Sequence, residues 1–222
     1  MTGLGFDPLT FVFFAIALVP ALVVHELAHA WMAIRLGDYT PKLMGRMTLD
    51  PRRHIDPFGS LVVPGLLLLP VLFGQPGVPF GYAKTMPIDR SNLREPDRHG
   101  IWIALMGIVA NLLLAVPAAL AYRFTGAPVA SFAPGLGGPV PEFLYIWVFT
   151  NVLIGVFNIM PVPPLDGARI VAVFLPPRAR SLFESWEPYG GIFVLVIFFI
   201  IPAPVFSIVS AIVGGILRLL VG

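Results

Sequence analysis

Two histidines and a glutamate, His25, Glu26 and His29, interrupt an otherwise apolar run in the stretch VVHELAHAW. The i, i+4 spacing stacks both imidazoles on one helical face, and Glu26 follows on the adjacent edge. This is the H-E-x-x-H arrangement in which two imidazoles hold zinc and the glutamate serves as general base. At 1.5 Å per residue, His25 lies about 21 Å beyond Phe11, roughly two-thirds of the way across the hydrocarbon layer. Ionisable side chains at that depth are costly and are retained for function. The plainer alternative is a pair of histidines that hydrogen-bond between helices. A catalytic zinc takes three protein ligands and a water, and the candidates for the third are His54, Asp56, His99 and Asp166. Asp166 alone directly follows an apolar helix, which Pro161, Pro163 and Pro164 would unwind. A simple Pro-Asp-Gly turn at a helix end is the competing account of that stretch.

The elements that must position these groups belong to a membrane. The chain has 222 residues, 57% hydrophobic and only 12% charged, with a mean hydropathy of +0.88, whereas soluble domains carry about 25% charged residues. Cysteine is absent, which excludes disulfides and thiolate ligands and leaves histidine and carboxylate to bind metal. A net charge of +2 with no basic block gives no reason to expect nucleic acid. The first apolar run, FVFFAIALVPALVV, has no basic residue before it and no small-residue cleavage pattern after it, so it is expected to stay in the mature protein. One integral-membrane domain is expected over 1–222, with a core at 8–176 and a C-terminal helical segment at 188–220.

The fold class expected is all-α and polytopic, a bundle of about four spanning helices. The first helix opens at Asp7 and Pro8 and ends near Leu36, with Gly37 behind it. Ile101 to Tyr122 is a second span, carrying Asn111, and Phe143 to about Met160 is another. The segment from Gly190 to Leu220 must break or kink at Pro202 and Pro204. Met44 to Asp50 and Phe80 to Ile88 read as short β-strands near the site, able either to pair with an extended substrate or simply to cover the site. The 14-residue run from Leu61 to Gly74, interrupted by Pro64 and Pro70, decides the topology. As a full span it divides the basic residues 7 against 7; as a re-entrant loop it leaves 12 inside and 2 outside, the asymmetry that insertion produces. The re-entrant reading also brings Asp166 to the depth of His25 and His29.

Two motifs in this order resemble the site-2 proteases, zinc intramembrane metalloproteases. HELAH is similar to their first motif, and FNIMPVPPLDG matches their N-x-x-P-x-x-x-x-D-G element at Asn158, Pro161, Asp166 and Gly167. The similarity continues through LMGRMTLDPRRHIDPFGS, FGYAK and ALMGIVANLLLA, and covers most of residues 20–170. AKTMP stands where relatives commonly have AKPVP, and MGIVAN where they have AGPLSN. The resemblance implies one Zn2+ bound by His25, His29 and Asp166, Glu26 as general base, and Asn158 near the substrate or its oxyanion. It further implies a compact member without a PDZ-like or CBS-like segment, cutting single-span membrane-protein substrates within the lipid bilayer. The expected location is a multi-pass position in a prokaryotic plasma membrane, with the site near the cytosolic side. The rival is a membrane metal-binding or scaffold protein that keeps the fold without hydrolysis. Retention of Glu26 argues against it, because storage needs ligands but no base.

Overall fold

The computed structural model describes residues 8–57, 59, 62, 66, 83–127, 138–200 and 202–222. Among the described residues, three helices are long and apolar enough to cross a membrane: α1 (Pro8–Arg35), α3 (Pro96–Phe124) and α4 (Pro139–Asn158). Between α1 and α3 lie the short α2 (Thr40–Leu43) and 3₁₀ turns at Pro51–Arg53 and Arg90–Asn92. After α4 come α5 (Asp166–Phe174), α6 (Pro177–Glu184), α7 (Gly190–Ile200) and α8 (Pro202–Val221).

Each boundary has a local cause. Proline opens α3 and α4, where its missing N–H falls on a group with no intrahelical partner. The helix α1 ends where Gly37 adopts φ +109°, a conformation that an L side chain resists, and Asp38 N then donates to Ala33 O at 2.9 Å. The C-terminal segment is described as two helices, α7 ending at Ile200 and α8 starting at Pro202; the junction between them, where the break is expected, lies outside the described residues. Asp7, the expected opening cap, lies outside the described residues.

Small residues let the three long helices meet. Ala17, Ala21, Ala30 and Ala33 of α1 and Ala115 of α3 have no exposure at all, and in lipid such close backbone approach replaces the hydrophobic effect as the source of packing energy. Val148 and Val152 of α4 join Ala115, Ala119, Val213 and Leu217 in the largest apolar cluster. The opposite side of α1 presents Val12, Ile16 and Val19 outward, and α3 presents Leu113, Val116 and Leu120; these are surfaces suited to acyl chains.

Hydrogen bonds set the helix directions. Thr10 Oγ1 donates to Glu142 Oε1 at 2.6 Å, joining the amino-terminal ends of α1 and α4. Trp147 Nε1 donates to Leu114 O at 3.1 Å, while Asn111 meets Asn151, so α3 runs antiparallel to α4 and hence to α1. The ends at Arg35 and Pro96 therefore lie on the same side of the bundle, as the charge distribution requires. The course of Leu61 to Gly74 itself falls almost entirely outside the described residues.

The expected β-strands are not present among the described residues. Within Met44 to Asp50, local turns take the backbone groups instead: Met44 N bonds Thr40 O, Arg46 N bonds Pro41 O, and Gly45 adopts φ +67°. Asp50 then caps the following 3₁₀ turn through Arg52 N. In the described part of the second stretch, Lys84 N donates to His54 O at 2.8 Å, a single cross-link without a ladder. An apolar-polar alternation supplies no neighbouring strand, and here local turn chemistry wins.

Candidate metal centre

His25 and His29 lie on the inner face of α1, 3% and 1% exposed. Asp166, the first residue of α5, reaches them from a segment 141 positions away: its Oδ2 is 3.0 Å from His25 Nε2 and 3.1 Å from His29 Nε2. Among the described residues, these three form the group whose ligand atoms converge, all within 4.8 Å of one another. The chain reaches Asp166 through the turn at Pro161 to Leu165 that follows α4. Gly167 fits beneath it because a Cβ there would run into the Ile159 carbonyl.

The other three candidates for the third ligand lie elsewhere. His54 Nε2 meets Thr48 O at 2.8 Å. Asp56 Oδ1 accepts from Gly59 N at 2.6 Å, and His99 lies in the first turn of α3, beside Glu95.

The helix α3 sets both rings. His29 Nδ1 donates to Ile103 O at 2.7 Å. His25 Nδ1 lies 2.6 Å from Asn111 Oδ1, and Asn111 Nδ2 donates to Ala21 O and to Asn151 Oδ1 at 3.2 and 3.0 Å. Asn151 Nδ2 is in turn committed to Trp147 O at 2.9 Å. With its amide nitrogen thus engaged, Asn111 offers an oxygen to His25, so the imidazole carries its proton on Nδ1. Between these contacts sits Gly107, where a Cβ would lie 2.5 Å from His29 Nε2 and 2.6 Å from His25 Cε1. Ile103, Gly107 and Asn111 follow at i, i+4 and i+8, one stripe of α3 facing both rings.

This donor set fits a metal. With both Nδ1 atoms donating, the neutral imidazoles turn both Nε2 lone pairs toward one carboxylate oxygen, an arrangement that needs a metal ion or protons among them. Tetrahedral zinc with bonds of 2.0–2.1 Å holds its ligand atoms about 3.3 Å apart, close to the 3.0 and 3.1 Å found. Outer partners on both histidines are the usual accompaniment of zinc ligation. Three protein donors would be the number a catalytic zinc takes, with a fourth position for water.

Glu26, 7% exposed, lines the same cleft together with Asn158, Thr85, Met86 and Arg169. Its Oε2 is buried without a hydrogen-bond partner. Asn158 Nδ2 donates to Ile154 O at 3.0 Å. Arg169 on α5, the one Lys or Arg side chain lining the cleft, pairs with Glu187 at 3.0 Å. Sequence reasoning had no role for Gly107, Ile103 O or Asn151; the G-x-x-x-N spacing of Gly107 and Asn111 within ALMGIVANLLLA was the available signal.

Known proteins point the same way. Residues 133–201 match the model of peptidase family M50, a stretch that includes Asn158 and Asp166. A Bacillus subtilis protein named "Putative zinc metalloprotease YwhC" is 34% identical over 200 residues, covering 85% of this chain and 84% of that protein. "Putative zinc metalloprotease Rip2" of Mycobacterium tuberculosis is 30% identical over 180 residues, 80% of this chain and 63% of its own. No solved structure matches the chain. With apolar helices of spanning length around a zinc-compatible centre and identity extending along most of its length, the chain belongs to peptidase family M50, the zinc metalloproteases of the site-2 type.

Proposed function

We propose that the protein hydrolyses a peptide bond in or near the transmembrane segment of single-span membrane proteins. In this reading His25, His29 and Asp166 hold zinc and Glu26 acts as the base. The observation that carries it is the unpartnered, buried Glu26 Oε2 in the cleft that contains the three donors. A storage site would have no use for a carboxylate without a partner, and leaving a buried acceptor unsatisfied costs about 1–3 kcal/mol.

Zinc, when bound, supplies Lewis acidity toward the scissile carbonyl and makes water a usable nucleophile near neutral pH. Glu26 takes the proton from the attacking water and hands it to the leaving amine as the C–N bond breaks, so no net proton is gained or lost by the chain. Asn111 and the Ile103 carbonyl hold the two imidazoles with their Nε2 atoms free. An amide carries two N–H donors, and Asn158 commits one to Ile154 O; the other is available to the developing oxyanion. The substrate helix must unwind locally, because its scissile amide is otherwise held in its own hydrogen bonds.

The site lies toward the Arg35 end of α1, and the basic residues cluster beyond that end. Positive-inside bias makes it the cytosolic end, and the named relatives are bacterial, which supports a bacterial plasma membrane as its location.

The deciding experiment is cleavage of single-span model substrates in liposomes by purified protein, with zinc determined in the same samples. Wild type is expected to cut within the span. Glu26→Gln should keep about one zinc while losing about 10²–10⁴-fold in turnover, and Asn158→Ala should turn over more slowly with zinc retained. Zinc in wild type with no cleavage of any substrate would favour the scaffold reading, and folded protein without zinc would sink the metal site.

A further inference from the structure

Beside the metal cleft lies a second cavity of about 250 Å³, between the first turns of α3 with the residues before them and the pair α5 and α6. Its apolar lining includes Ile88, Ile103, Leu165, Ala168, Val173 and Phe183. Pro164, Leu165 and Arg169 line both spaces. Leu165 immediately precedes Asp166, and the carbonyl of Ile103 holds His29, so the wall between cavity and metal centre is one residue thick on two sides. In an extended peptide, a side chain one or two residues from the cut stands roughly 3–7 Å along the chain, and the shared lining makes this cavity the neighbouring space for it.

We propose that this cavity is a substrate subsite for one bulky, neutral apolar side chain flanking the scissile bond; the proposal rests on the proteolytic reading above. Its size favours that occupant, being below the roughly 300–1,000 Å³ of pockets that take whole small-molecule ligands. Its charge does so too. The four charged lining residues are already paired, Arg90 with Glu184 at 3.1 Å and Arg169 with Glu187 at 3.0 Å, so the mouth offers no free charge to a charged side chain. Continuity with the metal cleft through three shared residues is the reason to assign the space to the peptide being cut rather than to an acyl chain.

Gly100 makes the proposal testable without touching the metal centre. It lines the cavity from the first turns of α3, and a Cβ built there meets nothing within 4 Å. Gly100→Trp should therefore fill the space from a position where helical backbone tolerates the change. Phe183→Ala acts in the opposite sense and enlarges it.

The experiment uses the full chain in liposomes and a cleaved single-span substrate whose residues on each side of the mapped cut are changed, one at a time, between Ala, Leu, Phe and Trp. At one flanking position, wild type should cut the Leu or Phe substrate at least about tenfold faster than the Ala substrate. Gly100→Trp should bring that ratio near one by slowing the bulky substrates alone, with zinc content and melting temperature unchanged. Phe183→Ala should shift the preference toward Trp, a gain that a merely weakened fold cannot give. An unaltered preference in both variants, or an equal slowing of every substrate, overturns the subsite while leaving the protease reading intact. Failure of wild type to cut any substrate overturns both.

Discussion

Replacing Gly107 by alanine tests whether α3 builds the metal centre or merely packs beside it. The new methyl would stand 2.5 Å from His29 Nε2 and 2.6 Å from Cε1 of each histidine, where ordinary contact begins at 3.4 Å. One or both rings must then retreat by roughly 0.8–0.9 Å, several times the ±0.2 Å within which metal-ligand distances are held. The rings cannot slide away freely, because their Nδ1 atoms are tied at 2.6 and 2.7 Å to Asn111 and Ile103 on the same helix. Loss of an outer partner alone lowers metal affinity 10–100-fold, and displacement of the ligand atoms themselves should exceed that. We expect at least about 100-fold weaker zinc binding, or roughly 2.8 kcal/mol. The sign is informative, since glycine to alanine within a helix ordinarily stabilises it by about 1 kcal/mol. Zinc affinity measured by competition with a chromophoric chelator, alongside thermal melting in detergent, separates the two effects. An affinity within threefold of wild type would refute the geometry described for α3 and the two imidazoles.

Other perturbations follow from the same contacts. Asn111→Leu removes the acceptor from His25 Nδ1 and strands Asn151; zinc affinity should fall about 10–100-fold, and the spectrum of the cobalt-substituted protein should change. Asn111→Asp, which keeps an acceptor, should retain most of the affinity, and equal loss in both variants would contradict an orienting role. Asp38, buried beyond the end of α1, is a test by pH. Burial works to raise its carboxyl, but donations from Thr40, Asn92 and Asp89 N outweigh it and hold the group below the ordinary carboxylate range. Its stabilisation is therefore present above about pH 4, the unfolded value, and is lost as pH falls through the lower folded value. Asp38→Asn should melt below wild type at pH 7, by about 1–3 kcal/mol, and the gap should narrow in acid; a gap independent of pH would contradict it.

What could be read directly from the chain was whatever depends on near neighbours. The i, i+4 spacing of His25 and His29 and the length of each apolar run are properties of a single helix. The motif around Asn158 and Asp166 could be matched as a string, which made its aspartate one of four candidates and, by resemblance, the expected one. Strands failed as an expectation for the converse reason: a ladder needs a partner, and Met44 to Asp50 found its hydrogen bonds in local turns.

Only the tertiary structure decided which of four candidate groups meets the histidines, and what stands behind them. Asp166 lies 141 residues from His25, and no periodicity encodes that approach. Gly107 is the clearest case: as a letter, glycine reports only a missing side chain, and the space it leaves has meaning only once α3 lies antiparallel against α1 and two imidazoles fill it. Asn111 and Asn151 could be marked as polar groups within apolar helices. Their chain of bonds from Ala21 to Trp147, which fixes the tautomer of His25, exists because small residues allow three helices to pack closely enough to exclude water and to leave each amide no other partner.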